Sequence, residues 1–308
     1  MTFISLLIVL ALEQWRSISG RAQAVQALGR LAKLVERHFN AGEMQQGIIG
    51  WLLVVLPVLV VTGALHAIAV NIHWLAAVGF NVLILYLTLG FRQTSHFFSD
   101  IQRALKDGEL DRARALLGEW RGRSAVALSR EEVVRVSIEQ ALIGSHRHVF
   151  GVMFWYVMLP GPIGAVMYRV CAYLHDEWGR AEVPELARFG IPARRVFEIL
   201  DWLPARLTAT GFAIVGDFED AVFAWRSQAS TWFNTSVGTV MASGAGAMGV
   251  RLGNPLRRED GTYEERPELG LGDEPDVPYL DSTVGLIWRA LVLWLALIFI
   301  VSIVVWLA

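Results

Sequence analysis

Charged residues and cysteine are scarce in this 308-residue chain. Only 18% of the residues are charged, whereas 54% are hydrophobic, and the mean hydropathy is +0.44. A soluble domain of this length does not bury so much apolar surface, so the composition favours an integral membrane protein. The single cysteine, Cys171, excludes an internal disulfide and any site built from several cysteines, such as an iron–sulfur centre.

An excess of basic charge is also absent. The 27 Lys and Arg residues are balanced by 29 Asp and Glu residues, which gives a net charge of −2. A general nucleic-acid surface needs a basic excess that displaces counterions, so no nucleic-acid partner is expected. The nucleophile elbow, the P-loop and the dinucleotide fingerprint are missing as well. Because these motifs are missing, the sequence does not identify the catalytic residues. Neither a metal nor a resident cofactor is evident.

Long apolar runs, in contrast, are present. Gly47–Val70 and Ile72–Gly90 contain no Asp, Glu, Lys or Arg and are long enough to cross the ~30 Å hydrocarbon layer, so they predict a transmembrane hairpin. Residues 284–308 predict a final transmembrane helix, and the opening apolar run, shorter than ~20 residues, predicts a short membrane helix. Residues 149–174 are interrupted by Pro160-Gly161-Pro162, which is typical of a broken or re-entrant segment.

These runs predict an all-α integral membrane protein, a helical bundle with about four full spans. Residues 1–90 hold the short N-terminal membrane helix and the hairpin. In residues 91–147 charged residues alternate with Ala and Leu, a pattern that predicts a soluble insertion of amphipathic helices. The insertion is rich in arginine, and because loops rich in Lys and Arg tend to lie on the cytoplasmic side, it is predicted to be cytoplasmic. Residues 148–308 form the remaining membrane region, with a C-terminal loop and the final helix. The expected location is the bacterial inner membrane, with the lipid bilayer as partner and homo-oligomerisation left open.

Two polar groups stand near the end of the predicted insertion. His146, Arg147 and His148 suit either a phosphate or metal site or a basic border that anchors the helix at lipid headgroups. Their i, i+2 histidine spacing and the lack of further ligands count against zinc. Glu139, on the helix that enters this border, is either a buried acid or base or a solvated charge.

A further polar group lies farther along the chain. Glu198 and Asp201 are three residues apart, so they are predicted to share a helix face. Arg206 follows Pro204, which is predicted to begin a new helix. Two carboxylates near a guanidinium either hold a cation or polar ligand or form an internal salt-bridged brace.

Four more residues complete the candidate binding set. Tyr168 and Arg169 offer either an anion contact or an interface anchor. Gly244 and Arg251 belong to the run Thr239–Gly253, which is rich in Gly and Ala. Such a run allows either close helix packing or close approach of the backbone to a ligand.

Three segments of the sequence resemble motifs of one family, in the right order. Residues 160–169 (PGPIGAVMYR) are similar to P-G-A-x-x-Y-R, residues 203–209 (LPARLTA) to I-P-A-R-L-T, and residues 241–253 (MASGAGAMGVRLG) to A-x-A-G-A-L-G-V-x-L-G-G. These are motifs of the cobalamin-biosynthesis membrane proteins called CobD or CbiB, a family that includes the AmpE branch. The resemblance covers most of the chain.

The resemblance implies an amide-forming ligase of the adenosylcobinamide-phosphate synthase type, which joins an aminopropanol unit, or its phosphate, to a corrinoid carboxylate. Several family carboxylates are replaced here. The acid of G-R-D-T becomes Ser124, E-N-x-x-D-G falls on Ile143, Gly144, Arg147 and His148, and N-T-L-D becomes residues 172–175 (AYLH). Hydrophobic or basic side chains do not replace carboxylates as proton acceptors or ligands of hard cations, so ordinary synthase activity is not expected.

Two hypotheses follow. In the first, the chain is a divergent cobalamin-biosynthesis protein, and Tyr168, Arg169, Arg206 and the backbone near Gly244 hold an anionic or corrinoid-like small molecule. In the second, it is a non-catalytic AmpE-type sensor or regulator linked to cell-wall or β-lactamase signalling. The missing carboxylates favour the second hypothesis, and the C-terminal match favours the first, which ranks slightly ahead as the family-level description. A transporter is disfavoured because no paired inverted repeat is evident.

Overall fold

The computed structural model describes residues 2–15, 20–180 and 183–307. Within these ranges the chain is mostly helical, which confirms the all-α prediction. The α-helices are α1 (Thr2–Trp15), α2 (Gly20–Phe39), α3 (Met44–Ile72), α4 (Trp74–Thr88), α5 (Phe91–Lys106), α6 (Leu110–Arg121), α7 (Arg130–Ser145), α8 (Gly151–Met158), α9 (Ile163–Trp178), α10 (Ile191–Val215), α11 (Phe218–Gln228), α12 (Thr235–Met248) and α13 (Pro278–Leu307).

Short irregular elements interrupt this helical chain. A π-helical turn, His146–Phe150, joins α7 to α8, and a 3-10 turn, Ala229–Thr231, follows α11. The predicted C-terminal loop contains two nested antiparallel ladders: β1 pairs with β4, and β2 pairs with β3. The strands are β1 (Leu252–Gly253), β2 (Leu256–Arg257), β3 (Tyr263–Glu264) and β4 (Glu268–Leu269).

Two helices of the described chain, α3 and α13, are long and apolar enough to cross a membrane. Only 22% and 28% of their most apolar windows are buried, whereas the core helix of a soluble protein would be mostly buried. Their uncovered faces carry Ile, Leu, Val and Phe side chains. An apolar face of this kind is stable against lipid and costly against water.

The other predicted membrane helices are shorter. The apolar part of α1 is Thr2–Glu13, and α4 has 15 residues. At 1.5 Å per residue α4 extends about 22 Å, which is less than the ~30 Å hydrocarbon layer. The chain leaves the helical conformation at His73, whose ring Nδ1 accepts a hydrogen bond from the Leu75 N–H at 3.2 Å and caps α4. Four full spans are therefore not confirmed.

The break predicted near Pro160 lies between α8 and α9. Gly161 adopts a positive φ of 60°, and a Cβ placed on it would lie 2.4 Å from the His66 ring. A side chain at this position would meet both backbone strain and a steric clash. The interruption is therefore built into the local sequence.

Helix α10, in contrast, is continuous through Pro204, so the prediction that Pro204 begins a new helix is wrong. A proline within a helix removes the N–H that would donate to the carbonyl four residues earlier, here that of Leu200. The indole Nε1 of Trp155 donates to this carbonyl at 3.2 Å. A side chain distant in sequence thus satisfies the freed acceptor and allows the helix to continue.

The described chain divides into two compact units. The first draws on the ranges 1–90, 151–202 and 301–308, and the second on 91–150 and 203–300. In the first unit α3 packs against α2, α4 and α9, while α1 packs against α4. In the second unit α12 packs closely on α11 and also contacts α7, and α5 packs against α6 and α7.

Small residues explain the close contact of α11 with α12. A Cβ on Gly246 would lie 2.4 Å from the carbonyl oxygen of Asp220 in α11, and one on Gly238 would lie 2.3 Å from that of Ala229, in the 3-10 turn that follows α11. The two backbones therefore approach at a distance that only glycine permits. Close helix packing, one of the two roles predicted for the run Thr239–Gly253, is what the structure shows at Gly246.

Candidate functional site

Glu139 is buried in the second unit and is held by Arg266. Arg266 donates to Glu139 in a bidentate arrangement, from Nη1 to Oε2 at 2.9 Å and from Nη2 to Oε1 at 2.5 Å. The side chains of Arg266 and Glu139 are only 7% and 3% exposed. The Gly253 N–H also donates to Oε1, at 2.9 Å. The alternative that Glu139 is a solvated charge is therefore wrong.

Arg266 also fixes the backbone around β1. Its Nη2 donates to the Gly253 carbonyl at 2.8 Å, and its Nε donates to the Asn254 carbonyl at 3.2 Å. Its guanidinium carbon lies 5.3 Å from the centre of the Trp232 ring, a favourable cation–π distance. We call Glu139, Arg266 and the backbone of Gly253 the carboxylate clip. With donors filling both carboxylate oxygens, the clip is suited to anchoring the loop rather than to accepting a proton.

Helix α7, which carries Glu139, also contacts the loop through its N-terminus. Ser129 and Glu132 form a capping box, in which each side chain accepts a hydrogen bond from the backbone N–H of the other residue. Glu132 Oε1 also accepts from the Arg257 N–H at 3.4 Å. The loop is thus attached to α7 at the capping box and at the clip, and between them Arg135 Nη2 donates to the Pro255 carbonyl at 3.5 Å.

The predicted border residues lie in the π-helical turn. His146 is buried, and its Nδ1 is 3.0 Å from Thr208 Oγ1, while Arg147 and His148 are half-buried. All three have interaction partners. Among the residues that the structure describes, no group of three or more His, Cys, Asp or Glu side chains is arranged to hold a metal ion.

Gly244 and Arg251 lie in the second unit. A Cβ on Gly244 would lie 2.8 Å from the Leu142 Cδ1, so the space beside this glycine is occupied by a side chain of α7. Arg251 forms an ion pair with Glu274 at 3.1 Å and is partly exposed. These contacts give Gly244 a packing role and Arg251 a role in closing the loop.

Tyr168 and Asp201 form a buried pair in the first unit. The Tyr168 hydroxyl donates to Asp201 Oδ1 at 2.6 Å, and neither side chain is exposed by more than 1%. The Tyr168 ring lies 5.5 Å from the Phe197 ring. Gly151 makes room for the hydroxyl, since a Cβ there would lie 2.4 Å from it. The structure thus brings together two residues that the sequence analysis had assigned to separate groups.

Glu198 does not join this pair. It is exposed, whereas Asp201 is buried, so the two carboxylates do not form one cluster although they lie three residues apart on α10. Positions three apart still differ by about 60° around a helix, which is enough for the edge of a packed surface to pass between them. Arg169 borders a largely apolar cavity of about 450 Å³ in the first unit, and Arg206 is half-buried on α10.

Comparison with known proteins identifies the family. The family model described as CobD/Cbib protein matches residues 6–287. The chain belongs to the CobD/CbiB family. A relative from Stutzerimonas stutzeri, named cobalamin biosynthesis protein CobD, is 34% identical over 297 residues, which cover 95% of each chain. A protein of the same name from Chromobacterium violaceum is 38% identical over 216 residues, which cover 70% of this chain and 68% of the relative. No solved structure matches.

The positions where this CobD/CbiB chain departs from the family motifs have neutral or basic side chains in ordinary local contacts. The Ser124 hydroxyl donates to Glu259 at the protein surface. His175 Nδ1 lies 3.1 Å from the carboxylate of its neighbour, Asp176. Arg147 and His148 are half-buried in the π-helical turn.

Arg266 was missed by the sequence analysis. It lies 127 residues from Glu139, in a loop rich in charged residues, where no short-range pattern distinguishes it. The one available signal was indirect, because a carboxylate on a buried helix requires a cation or several donors. This signal does not select one arginine from those in the loop.

We expect Tyr168→Phe to destabilise the first unit by about 1–3 kcal/mol, the usual cost of leaving a buried acceptor without its hydrogen-bond donor. The substitution removes only the hydroxyl and leaves the ring against Phe197. Thermal unfolding in detergent measures the effect, with Tyr173→Phe as the control because the Tyr173 hydroxyl donates no hydrogen bond in the described chain. Equal stability of the two variants would contradict a strong Tyr168–Asp201 bond.

Proposed function

We propose that the chain is a divergent inner-membrane CobD/CbiB protein of cobalamin biosynthesis that binds a corrinoid-like or anionic small molecule. The observation that carries the proposal is the family match over residues 6–287. Relatives named cobalamin biosynthesis protein CobD support it, since one of them aligns with 95% of the chain.

The uncovered apolar helices support a multi-pass membrane protein. Helices α3 and α13 span the bilayer, and the shorter apolar helices α1 and α4 enter it, giving four inserted helices. Both short helices expose large apolar side chains, including Ile4 and Leu7 of α1 and Leu75 and Leu83 of α4. In water these faces would be costly, whereas lipid solvates them.

The amide-forming reaction of a synthase is not proposed in its ordinary form. Ser124 and Arg147 stand at positions where the family motifs have an aspartate. His148 stands at the position of the glycine in the motif E-N-x-x-D-G. Glu139, the buried carboxylate nearest these positions along the chain, is engaged by the carboxylate clip. General acid–base catalysis needs a group that can exchange a proton with the reactant, and the clip leaves Glu139 poorly placed to do so.

Titration with corrinoids tests the proposal. Detergent-purified protein is followed by thermal shift with cobyric acid, cobinamide and muropeptides, because a ligand that binds only the folded state stabilises it. At a ligand concentration of about 100 times Kd the stabilisation is about 2.7 kcal/mol. A shift with corrinoids alone is the expected result.

The other outcomes are equally informative. A shift with muropeptides alone would replace the proposal with the AmpE-type regulator. No shift with any of the three would also contradict corrinoid binding. Arg206→Ala adds a check on the binding set: it should abolish the corrinoid shift while the protein still inserts and folds.

A further inference from the structure

A largely apolar cavity of about 450 Å³ lies in the first unit, among helices α2, α3, α4 and α9. Helix α3 packs against the other three, and α4 also contacts α2 and α9, so the cavity belongs to the folded bundle. Helix α2 lines it with five residues between positions 24 and 31, and α9 with four between positions 166 and 173. Small-molecule sites usually occupy about 300–1,000 Å³, so this cavity is large enough to hold a ligand.

The threonine hydroxyl groups in the lining are used within their own helices. Thr62 donates to the Val58 carbonyl at 2.8 Å, and Thr88 donates to the Ile84 carbonyl at 2.9 Å. A hydroxyl has one proton to donate, so neither threonine keeps a donor for an occupant. The rest of the described lining on α2, α3 and α4 consists of Ala, Val, Leu and Ile side chains. These three helices therefore offer a surface that suits hydrocarbon.

Helix α9 adds a cationic group to this apolar lining. Arg169 and Tyr173 are four residues apart, so they share the face of α9 that carries Val166 and Val170. Among the described residues that line the cavity, Arg169 alone is charged. Arg169 has an interaction partner in the structure, but a guanidinium carries five N–H donors, more than one partner takes up. The cavity thus combines an apolar interior with a donor for an anion.

The surface around the cavity is apolar and exposed. Ala24 and Ala27 of α2 line the cavity and are exposed, so it is not sealed along this helix. On α3, Val60 and Val61 are 66% and 56% exposed and closely follow Val58, which lines the cavity. Helix α3 is long and apolar enough to cross a membrane. A hydrocarbon chain can therefore enter the cavity from the bilayer without passing through water.

Two features place lipid headgroups near the level of Arg169. Helix α2 is amphipathic: its apolar residues line the cavity, whereas Gln23, Gln26 and Arg30 are exposed on its other side. Amphipathic helices of this kind lie at the membrane interface. The α4 part of the lining is the last turn of that helix, which ends at Thr88 and is shorter than the hydrocarbon layer. A bilayer thins beside a short apolar helix, which brings headgroups toward its end.

We propose that this cavity binds one acyl chain of a membrane phospholipid, whose phosphate is held by Arg169. The planar guanidinium matches the geometry of phosphate oxygens and donates charge-assisted hydrogen bonds to them. The acyl chain covers the apolar side chains of α2, α3 and α4, while the rest of the lipid stays in the bilayer. A lipid bound in this way contacts all four helices and holds α2 on the bundle.

The lipid site goes beyond the corrinoid proposal and is tested without a corrinoid, so either proposal can fail alone. The purified chain is kept in dodecyl maltoside, a detergent without phosphate, and is mixed with phosphatidylglycerol that carries a photoreactive diazirine in one acyl chain. After irradiation, peptide mass spectrometry locates the cross-links. We expect saturable labelling of α2 residues 24–31 and α9 residues 166–173. Unlabelled phosphatidylglycerol should compete at a concentration about tenfold lower than diacylglycerol, which lacks the phosphate.

Two pairs of variants test the two parts of the site. Ala27→Trp fills the cavity with a bulky ring and should abolish the labelling, whereas Ala22→Trp, at an exposed position of α2 outside the lining, should retain it. Arg169→Gln should remove the advantage of phosphatidylglycerol over diacylglycerol. Arg30→Gln is its control, because Arg30 is exposed on α2 and does not line the cavity. The unfolding temperature of each variant is measured, so that misfolding is not mistaken for a lost site.

Each part of the proposal has a result that overturns it. Labelling that does not saturate, or that is equal in Ala27→Trp and Ala22→Trp, would show general contact of lipid with the outer surface and no bound acyl chain. Equal competition by phosphatidylglycerol and diacylglycerol in the wild type would overturn the phosphate contact, even if Arg169→Gln failed to fold. A folded Arg169→Gln protein that still prefers phosphatidylglycerol as Arg30→Gln does would overturn the role of Arg169.

Discussion

Glu139→Gln is expected to lower the free energy of unfolding by about 3–5 kcal/mol, the usual cost of breaking a buried ion pair on one side. The amide keeps the shape of the carboxylate, but it leaves the charge of Arg266 buried without its partner. The amide NH₂ of the glutamine would also face an N–H group of Arg266, because Arg266 approaches both carboxylate oxygens. Two donors would then point at each other. The loss should be measured as reduced stability to denaturant in detergent.

Two further variants separate this effect from general damage. Glu109→Gln changes a carboxylate that is paired with Arg112 at the surface, and solvent screening should leave its stability almost unchanged. Replacing both Glu139 and Arg266 with Met should restore part of the loss, because no unpaired charge then remains in the core. A Glu139→Gln protein as stable as Glu109→Gln would show that the carboxylate clip does not hold the loop.

Gly253→Ala is expected to cost at least about 2 kcal/mol, since backbone strain and a steric clash act together. The φ of Gly253 is +75°, and a Cβ on it would lie 2.0 Å from the backbone carbonyl oxygen of Pro267. A backbone atom cannot move aside as the end of a flexible side chain can, so β1 and β4 would have to separate.

Gly249→Ala is the matched control for this substitution. Its φ is +66°, similar to that of Gly253, but no atom lies within 4 Å of the position of the added Cβ. Gly249→Ala should therefore lower the stability only by the conformational cost of a left-handed residue with a side chain, about 1–2 kcal/mol. Thermal unfolding of the two variants isolates the contribution of the close approach, and equal losses would contradict it.

Local patterns were enough to predict the apolar elements. The long apolar runs locate α3 and most of α13, and the Pro-Gly-Pro sequence locates the break between α8 and α9. Membrane helices depend on length and apolar composition, and helix breaks depend on a few neighbouring residues. Both properties can be read from short windows of sequence.

The errors occurred where a distant residue decides the outcome. Helix α10 passes Pro204 because Trp155 supplies a donor to the Leu200 carbonyl. The start of a helix is predicted from the residues next to the proline, and these carry no information about Trp155. Glu198 and Asp201 likewise satisfy the spacing rule for a shared face, but the position of the packed surface around α10 separates them.

The candidate site was predicted only in part, for the same reason. The sequence singled out Glu139, Tyr168 and Asp201, and all three are buried polar residues. Their partners could not be predicted, since Arg266 is 127 residues from Glu139 and Tyr168 is 33 residues from Asp201. Pairings over such separations are set by the fold, which brings the loop onto α7 and α9 onto α10.

Direct binding of cobinamide is the most decisive measurement for the proposed role in cobalamin biosynthesis. Equilibrium dialysis of the purified chain, followed by the visible absorbance of the corrin ring, measures binding without relying on protein stability. We predict saturable binding to wild type and its loss in Arg206→Ala at unchanged folding. Dialysis with cobinamide and cobyric acid that yields no bound corrinoid would contradict the proposal and leave a CobD/CbiB-family membrane protein with another ligand.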